Sequence, residues 1–138
     1  HDPVIFATDK FVFATHFLVA TDDSWTSDGA FNDVDYFVCG NKEKFLSNDK
    51  GGTIYTLPAD TFTQLKRREW FSKTSVKPIS KVYFSSGLGA MLDQGVQFYF
   101  TDKDTFQKIR TSTDHGLETI KTLRSENQKL NFNIRTLP

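Results

Sequence analysis

Few residues in this chain could move a proton or attack a carbon. Three histidines, His1, His16 and His115, share no metal-ligand spacing, and none belongs to an HExxH pair. The one cysteine, Cys39, lies in the apolar run YFVC and reads as a small buried hydrophobe. Alone, it can form neither an intramolecular disulfide nor a Cys-based zinc site. The chain contains no GxSxG elbow, no GxGxxG turn and no GxxxxGK[ST] loop. GLGAML (87–92) comes nearest to a glycine-rich turn, and helix packing with capping accounts for it better. Two groups remain. His16 stands in the apolar stretch KFVFATHFLVA, about one turn from Val12, Phe13 and Val19. It reads as a core imidazole with a satisfied nitrogen, or as a cleft-lining ring able to exchange a proton near neutral pH. Glu69 stands between Arg68 and Trp70 in RREWFS. It is either a surface carboxylate paired with Arg67 or Arg68, or a base beside a large indole, since burial raises a carboxylate's pKa.

These groups are only as useful as the elements that hold them. VIFAT (4–8) is a β-branched and aromatic run, expected as a buried strand. A helix over 10–20 should follow, with Thr8 or Asp9 as its cap. The triplet Phe-Ala-Thr occurs at 6–8 and again at 13–15, and on this reading the copies fall in a strand and a helix. Residues 22–35, with one Gly and five Asp, read as a long surface loop around Trp25. YFVCG (36–40) is a second strand, and a tight turn leads into EKFLS (43–47). Glycines 51 and 52 make a turn into the strand TIYTLP (53–58).

FTQLKRR (62–68) is expected as a short helix, and EWFS (69–72) and VKPISKVYFSS (76–86) as strands, the latter an edge or bulged strand near Pro78. A helix lies between Gly87 and Gly95, and VQFYFT (96–101) alternates with period 2. DKDTFQKIR (102–110) has acids first and bases last, as the helix dipole favours. From Asp114, apolar residues at helical spacing predict a last amphipathic helix, followed by an irregular tail. Helices and strands mix without a βαβ beat, and several strands are joined by turns too short for crossovers. The expected class is α+β, a single domain over 1–138 with mainly antiparallel twisted sheet and several short helices.

Bulk properties narrow the partners. A chain of 138 residues can bury a real core without staples, and 14% aromatic content, with 14 Phe, marks a packed globule. Seventeen basic and seventeen acidic residues cancel, so the chain lacks the electrostatic footprint of a nucleic-acid-binding protein. Lys66-Arg67-Arg68 reads as a solvated face. No stretch approaches the length of a bilayer span and no signal-peptide pattern is present. A reducing, cytoplasmic setting and no membrane partner are the expectations.

One resemblance connects the pieces. The strand VIFA followed by a helix containing ATHF resembles the second motif of the ADP-ribosyltransferase-like superfamily, which includes poly(ADP-ribose) polymerases and RNA 2′-phosphotransferases. Phe6-Ala7 match the family's strand motif, Ala14 its helix alanine, and His16 stands in place of its tyrosine. GTIYTLPADTF and EWFSKTSVKPISKVYF resemble later strands, with Glu69 at the position of the family's glutamate. The similar region spans about residues 3–86. Phe13 replaces the family's nicotinamide-bonding serine, Ile5 replaces a tyrosine, and the first motif should lie before residue 4, in an N-terminal segment beyond His1. The resemblance implies NAD or a nucleotide-like small molecule as ligand, and no metal. It places the cleft between the VIFAT strand with its helix and the EWFS strand. Glu69 and His16 would be the catalytic groups there, and Phe6 and Trp70 the aromatic walls. The alternative function is a non-enzymatic interaction module whose partner docks on Trp25 in its loop.

Overall fold

The structure, a computed structural model, describes residues 4–31, 34–112 and 118, together with the backbone of 134–136. It has α+β architecture built on three sheets. The expected amphipathic helix from Asp114 lies outside the described residues, apart from Glu118, which is helical.

The central sheet holds β2 (Thr26–Phe31), β3 (Val34–Cys39), β8 (Gln97–Phe100) and β9 (Ile134–Thr136), in the order β2-β3-β8-β9. β3 is a continuous apolar run because both its faces are covered. On one face, Phe37, Cys39, Phe98 and Phe100 pack with Trp25, Phe45, Met91 and Val96. On the other, Tyr36, Val38 and Tyr99 pack beneath Phe106 and Ile109 of α4 (Lys103–Thr111). Phe37 and Phe98 are register partners across the parallel pair β3–β8, so their rings stack at 5.0 Å. The helix α4 starts after Asp102, whose carboxylate accepts from the Thr105 N–H, and β9 pairs parallel to β8. The tail expected to be irregular therefore contains a strand.

Two further readings are corrected. Residues 26–31 are not loop but the outer strand of a hairpin with β3, in antiparallel register from Thr26↔Cys39 to Phe31↔Val34. Their polar composition hid this because the strand is short of apolar side chains: Asp28, though exposed, meets the imidazole of His16, and Gly29 leaves room for the ring of Tyr36, whose hydroxyl would lie 2.4 Å from a Cβ there. Trp25, at the start of this strand, is core rather than a surface anchor, and Lys44 covers its ring. Residues 63–66 form β5 (Thr63–Lys66) rather than helix. All four side chains are exposed, so packing sets no helical preference. Pairing with β6 (Glu69–Ser72) through a two-residue turn at Arg67-Arg68 supplies the backbone partners.

The outer sheet has the order β1-β6-β5, with β1 (Ile5–Ala7) antiparallel to β6. The third sheet is the antiparallel pair of β4 (Gly52–Thr56) and β7 (Ser80–Phe84), with Pro78 just ahead of β7. Between them lies α1 (Phe11–Thr15), continued by a 3-10 turn at His16–Leu18. The helix expected over 10–20 is thus halved, as its β-branched and aromatic content would favour. Thr8 accepts from the Lys10 N–H ahead of the helix, which has no side-chain cap. The two Phe-Ala-Thr triplets do fall in a strand and a helix.

The helices α2 (Lys42–Asn48) and α3 (Gly87–Asp93) close the core. Asn41 caps α2 by accepting from the Lys44 N–H. Asp49, just after α2, accepts from the N–H groups of Gly87 and Leu88 and from the Ser86 hydroxyl, so the start of α3 is already satisfied. GLGAML is a capped helix. It is no phosphate cradle.

Candidate functional site

The edge of β1, the front of α1 and the edge of β4 enclose an open groove of about 1170 Å³. Aromatic side chains form its walls: Phe6 from β1, Phe11, Phe13 and Phe17 from the helical segment, Tyr55 from β4 and Trp70 from β6. Phe6 is 68% exposed and Phe17 70% exposed, an unusual state for such large apolar rings. Among the described residues, Asp9 and Glu69 are the charged ones in the wall, and no lysine or arginine lines it. A positive group entering would meet two carboxylates and several ring faces, with Lys66 beside Glu69 and Arg68 behind Phe13 as the nearest cations.

Three of the four residues singled out from the sequence come together here. Phe6, Glu69 and Trp70 all line the groove. Adjacency in the outer sheet explains this, because Trp70 pairs with Ala7 across β1–β6 and Glu69 is its chain neighbour. Glu69 is half-exposed, and its nearest cation is Lys66, at 3.8 Å, rather than Arg67 or Arg68. At that distance and exposure the pair contributes little, which leaves the carboxylate available.

His16 is the exception, and the expected pairing of His16 with Glu69 across one hollow is not what the structure holds. Its imidazole is 4% exposed and is absent from the groove wall. Nδ1 lies 2.8 Å from Oδ2 of Asp28 on β2, and the ring sits between Phe13 and Phe37. Nε2 has no hydrogen-bond partner among the described residues. The 3-10 turn rotates this side chain towards the central sheet while Phe17, the next residue, faces outward. The sequence's bland reading, a core imidazole, describes its position.

Arg68 was missed as a positioning residue. It leaves the charge run of Lys66 and Arg67, lies over the ring of Phe13 at 5.4 Å and donates to Asp35 on β3 at 2.6 Å. A lone arginine in a basic triplet carries no sequence signal for such a contact. Its partner Asp35 stood in a stretch read as loop. Asp9, too, had been considered only as a cap.

Other chemistry is sparse. Burial pushes the Cys39 thiol up, against the weaker influence of its contact with the Asn41 carbonyl, so the thiolate is suppressed. Among the described residues no three His, Cys, Asp or Glu side chains converge as a metal site, and no helix is long and apolar enough to cross a membrane. Comparison of the chain with protein-family models, with curated proteins and with solved structures finds no match.

Proposed function

We propose that the groove is a binding site for a flat, positively charged heteroaromatic group, of which the nicotinamide ring of oxidised NAD is the type. One observation carries this reading: Phe6, Glu69 and Trp70 converge on a groove whose charged wall residues are both carboxylates. Ring faces attract a delocalised cation by about 0.5–2 kcal/mol each when water is partly excluded. A nearby carboxylate adds to this. The resemblance to ADP-ribosyltransferase-like domains points to the same ring.

The fit is to the nicotinamide end and not to the whole dinucleotide. A pyrophosphate would find no lysine or arginine in the groove wall. Binding, rather than transfer, is therefore the function proposed. In an ADP-ribosyl transfer a carboxylate would have to stabilise positive charge developing on the ribose as nicotinamide departs, and Glu69 is the groove carboxylate that the resemblance assigns to that role. The second group expected for that chemistry, His16, faces away.

The test uses two ligands that differ in ring charge. Oxidised NAD carries the cationic ring and reduced NAD a neutral one. Thermal unfolding with each at millimolar concentration should show a rise in melting temperature with the oxidised form and a smaller rise, or none, with the reduced form. Equal shifts with the two forms would overturn the reading, as would no shift with 1-methylnicotinamide, which carries the cationic ring without the pyrophosphate.

The interaction-module reading has its own support in the two strand edges that border the groove, and it does not depend on nucleotide binding.

A further inference from the structure

Among the described residues, β1 and β4 each have one hydrogen-bonded neighbour, β6 and β7 respectively, and they do not pair with each other. Both border the same groove, and in an unusual way. A strand that faces a cavity with its flat side contributes alternate residues. Here the wall takes five consecutive residues from each side, 5–9 around β1 and 53–57 around β4. Consecutive residues mean that the strand edges, with their backbone N–H and C=O groups, face the gap.

Proteins guard exposed edges with lysine, proline or covering elements. Of the four outer-strand edges in these two sheets, the two turned away from the groove carry such guards: Lys66 in β5 and Lys81 in β7. The two turned towards it, Ile-Phe-Ala in β1 and Gly-Thr-Ile-Tyr-Thr in β4, have neither lysine nor proline. The unguarded edges thus face one another across an apolar trough. The charges available in that trough are Asp9 and Glu69.

We propose that the groove captures an extended segment of a partner protein by strand addition, and that the segment carries both lysine or arginine and bulky apolar residues. Its backbone pairs with the β1 edge, the β4 edge or both, as extended peptides do on open sheet edges. Its apolar side chains meet Phe6, Phe11 and Tyr55, and its basic side chains reach Asp9 and Glu69. An acidic segment would meet two like charges. The partner segment is therefore extended, basic and partly apolar.

The probe is a fluorescently labelled heptapeptide, Thr-Val-Lys-Phe-Lys-Val-Thr, capped at both ends and titrated with the full chain by polarisation, with no nucleotide present. Saturable binding is expected. Affinity should fall at least about tenfold when both lysines are replaced by glutamate. It should fall by a similar factor when alternate residues are N-methylated, which removes the donors to one strand edge. The double variant Asp9→Asn with Glu69→Gln, which leaves both backbones intact, should narrow the gap between the basic and acidic peptides. No binding at protein concentrations up to about 1 mM would overturn the proposal. So would equal binding of the N-methylated peptide, which would mark a greasy groove without edge pairing. A dimer of the chain that excludes the peptide would assign the edges to a second copy instead and would equally end it.

Discussion

Arg68 donates through Nη1 to Oδ1 of Asp35 at 2.6 Å, and this ion pair ties the outer three-stranded sheet to the central one. The same guanidinium covers Phe13, which lines the groove. The contact joins the groove wall to the core through one partly buried side chain. Asp35 is almost wholly buried, so removing its partner leaves a carboxylate with little water to replace it.

Arg68→Ala is therefore expected to lower stability by roughly 2–4 kcal/mol, read as a drop in the urea midpoint. Arg68→Ala combined with Asp35→Asn should recover part of that loss. Full additivity of the two single variants would show that the pair is not coupled.

His16 provides the contrast between a structural and a functional imidazole. His16→Ala removes a ring held between Phe13 and Phe37 and is expected to cost about 2–4 kcal/mol in stability, as for other large-to-small changes in a core. Ligand affinity, measured well below the melting temperature, should stay within about twofold of wild type. A large loss of affinity in a folded His16→Ala protein would restore the imidazole to the site.

Asp49 sets an acid limb for stability. Partial burial pushes its carboxyl up, but the N–H groups of Leu88 and Gly87, the Ser86 hydroxyl and the Gly51 N–H outweigh it, and the carboxyl lies below its ordinary value of 3.8. A carboxyl lowered on folding stabilises the protein fully above its unfolded pKa and loses that contribution as pH falls through the folded value. Stability should therefore hold at neutral pH and decline below about pH 4, and Asp49→Asn should flatten that decline while lowering stability at pH 7. An unchanged acid limb in Asp49→Asn would contradict the assignment.

Gly51 takes φ +72°, and a Cβ there would lie 2.2 Å from the Phe84 carbonyl oxygen. Gly51→Ala is expected to destabilise by roughly 2 kcal/mol or more, because left-handed backbone strain adds to a clash with main chain that cannot swing aside. Gly95 also has a positive φ, of 82°, but its Cβ would meet nothing within 4 Å. Gly95→Ala should cost about 1 kcal/mol, the strain alone. Equal effects at the two positions would argue against the close approach at Gly51.

Much of the fold could be read from local pattern. β8 and α4 carry their signals openly: period-2 alternation in VQFYFT, and a capping Asp102 ahead of an acid-to-base gradient. Cys39 sits in the core, as its apolar setting implied. What escaped was set by tertiary pairing. β2 is polar because its stabilising partners lie on β3 and in the ring of His16, and β5 is polar because it is an exposed edge. Neither carries an apolar stripe for a pattern to detect. The groove was half legible. The resemblance grouped Phe6, Glu69 and Trp70, and they share one sheet in which Phe6 lies opposite Phe71 and Ala7 opposite Trp70. The direction of His16 depended on whether a helix continued or tightened into a 3-10 turn by one residue, and composition does not decide that.

The central claim is that ring charge is recognised at Glu69 and its aromatic neighbours. Its most direct test is calorimetric titration of 1-methylnicotinamide, the cationic ring alone, against neutral nicotinamide, on the wild-type chain and on Glu69→Gln. The account predicts that the wild type prefers the cation by about tenfold, in line with the size of a partly desolvated cation–π contact, and that Glu69→Gln loses most of that preference while remaining folded. Equal affinity for the two rings, or a preference untouched by Glu69→Gln, would contradict it.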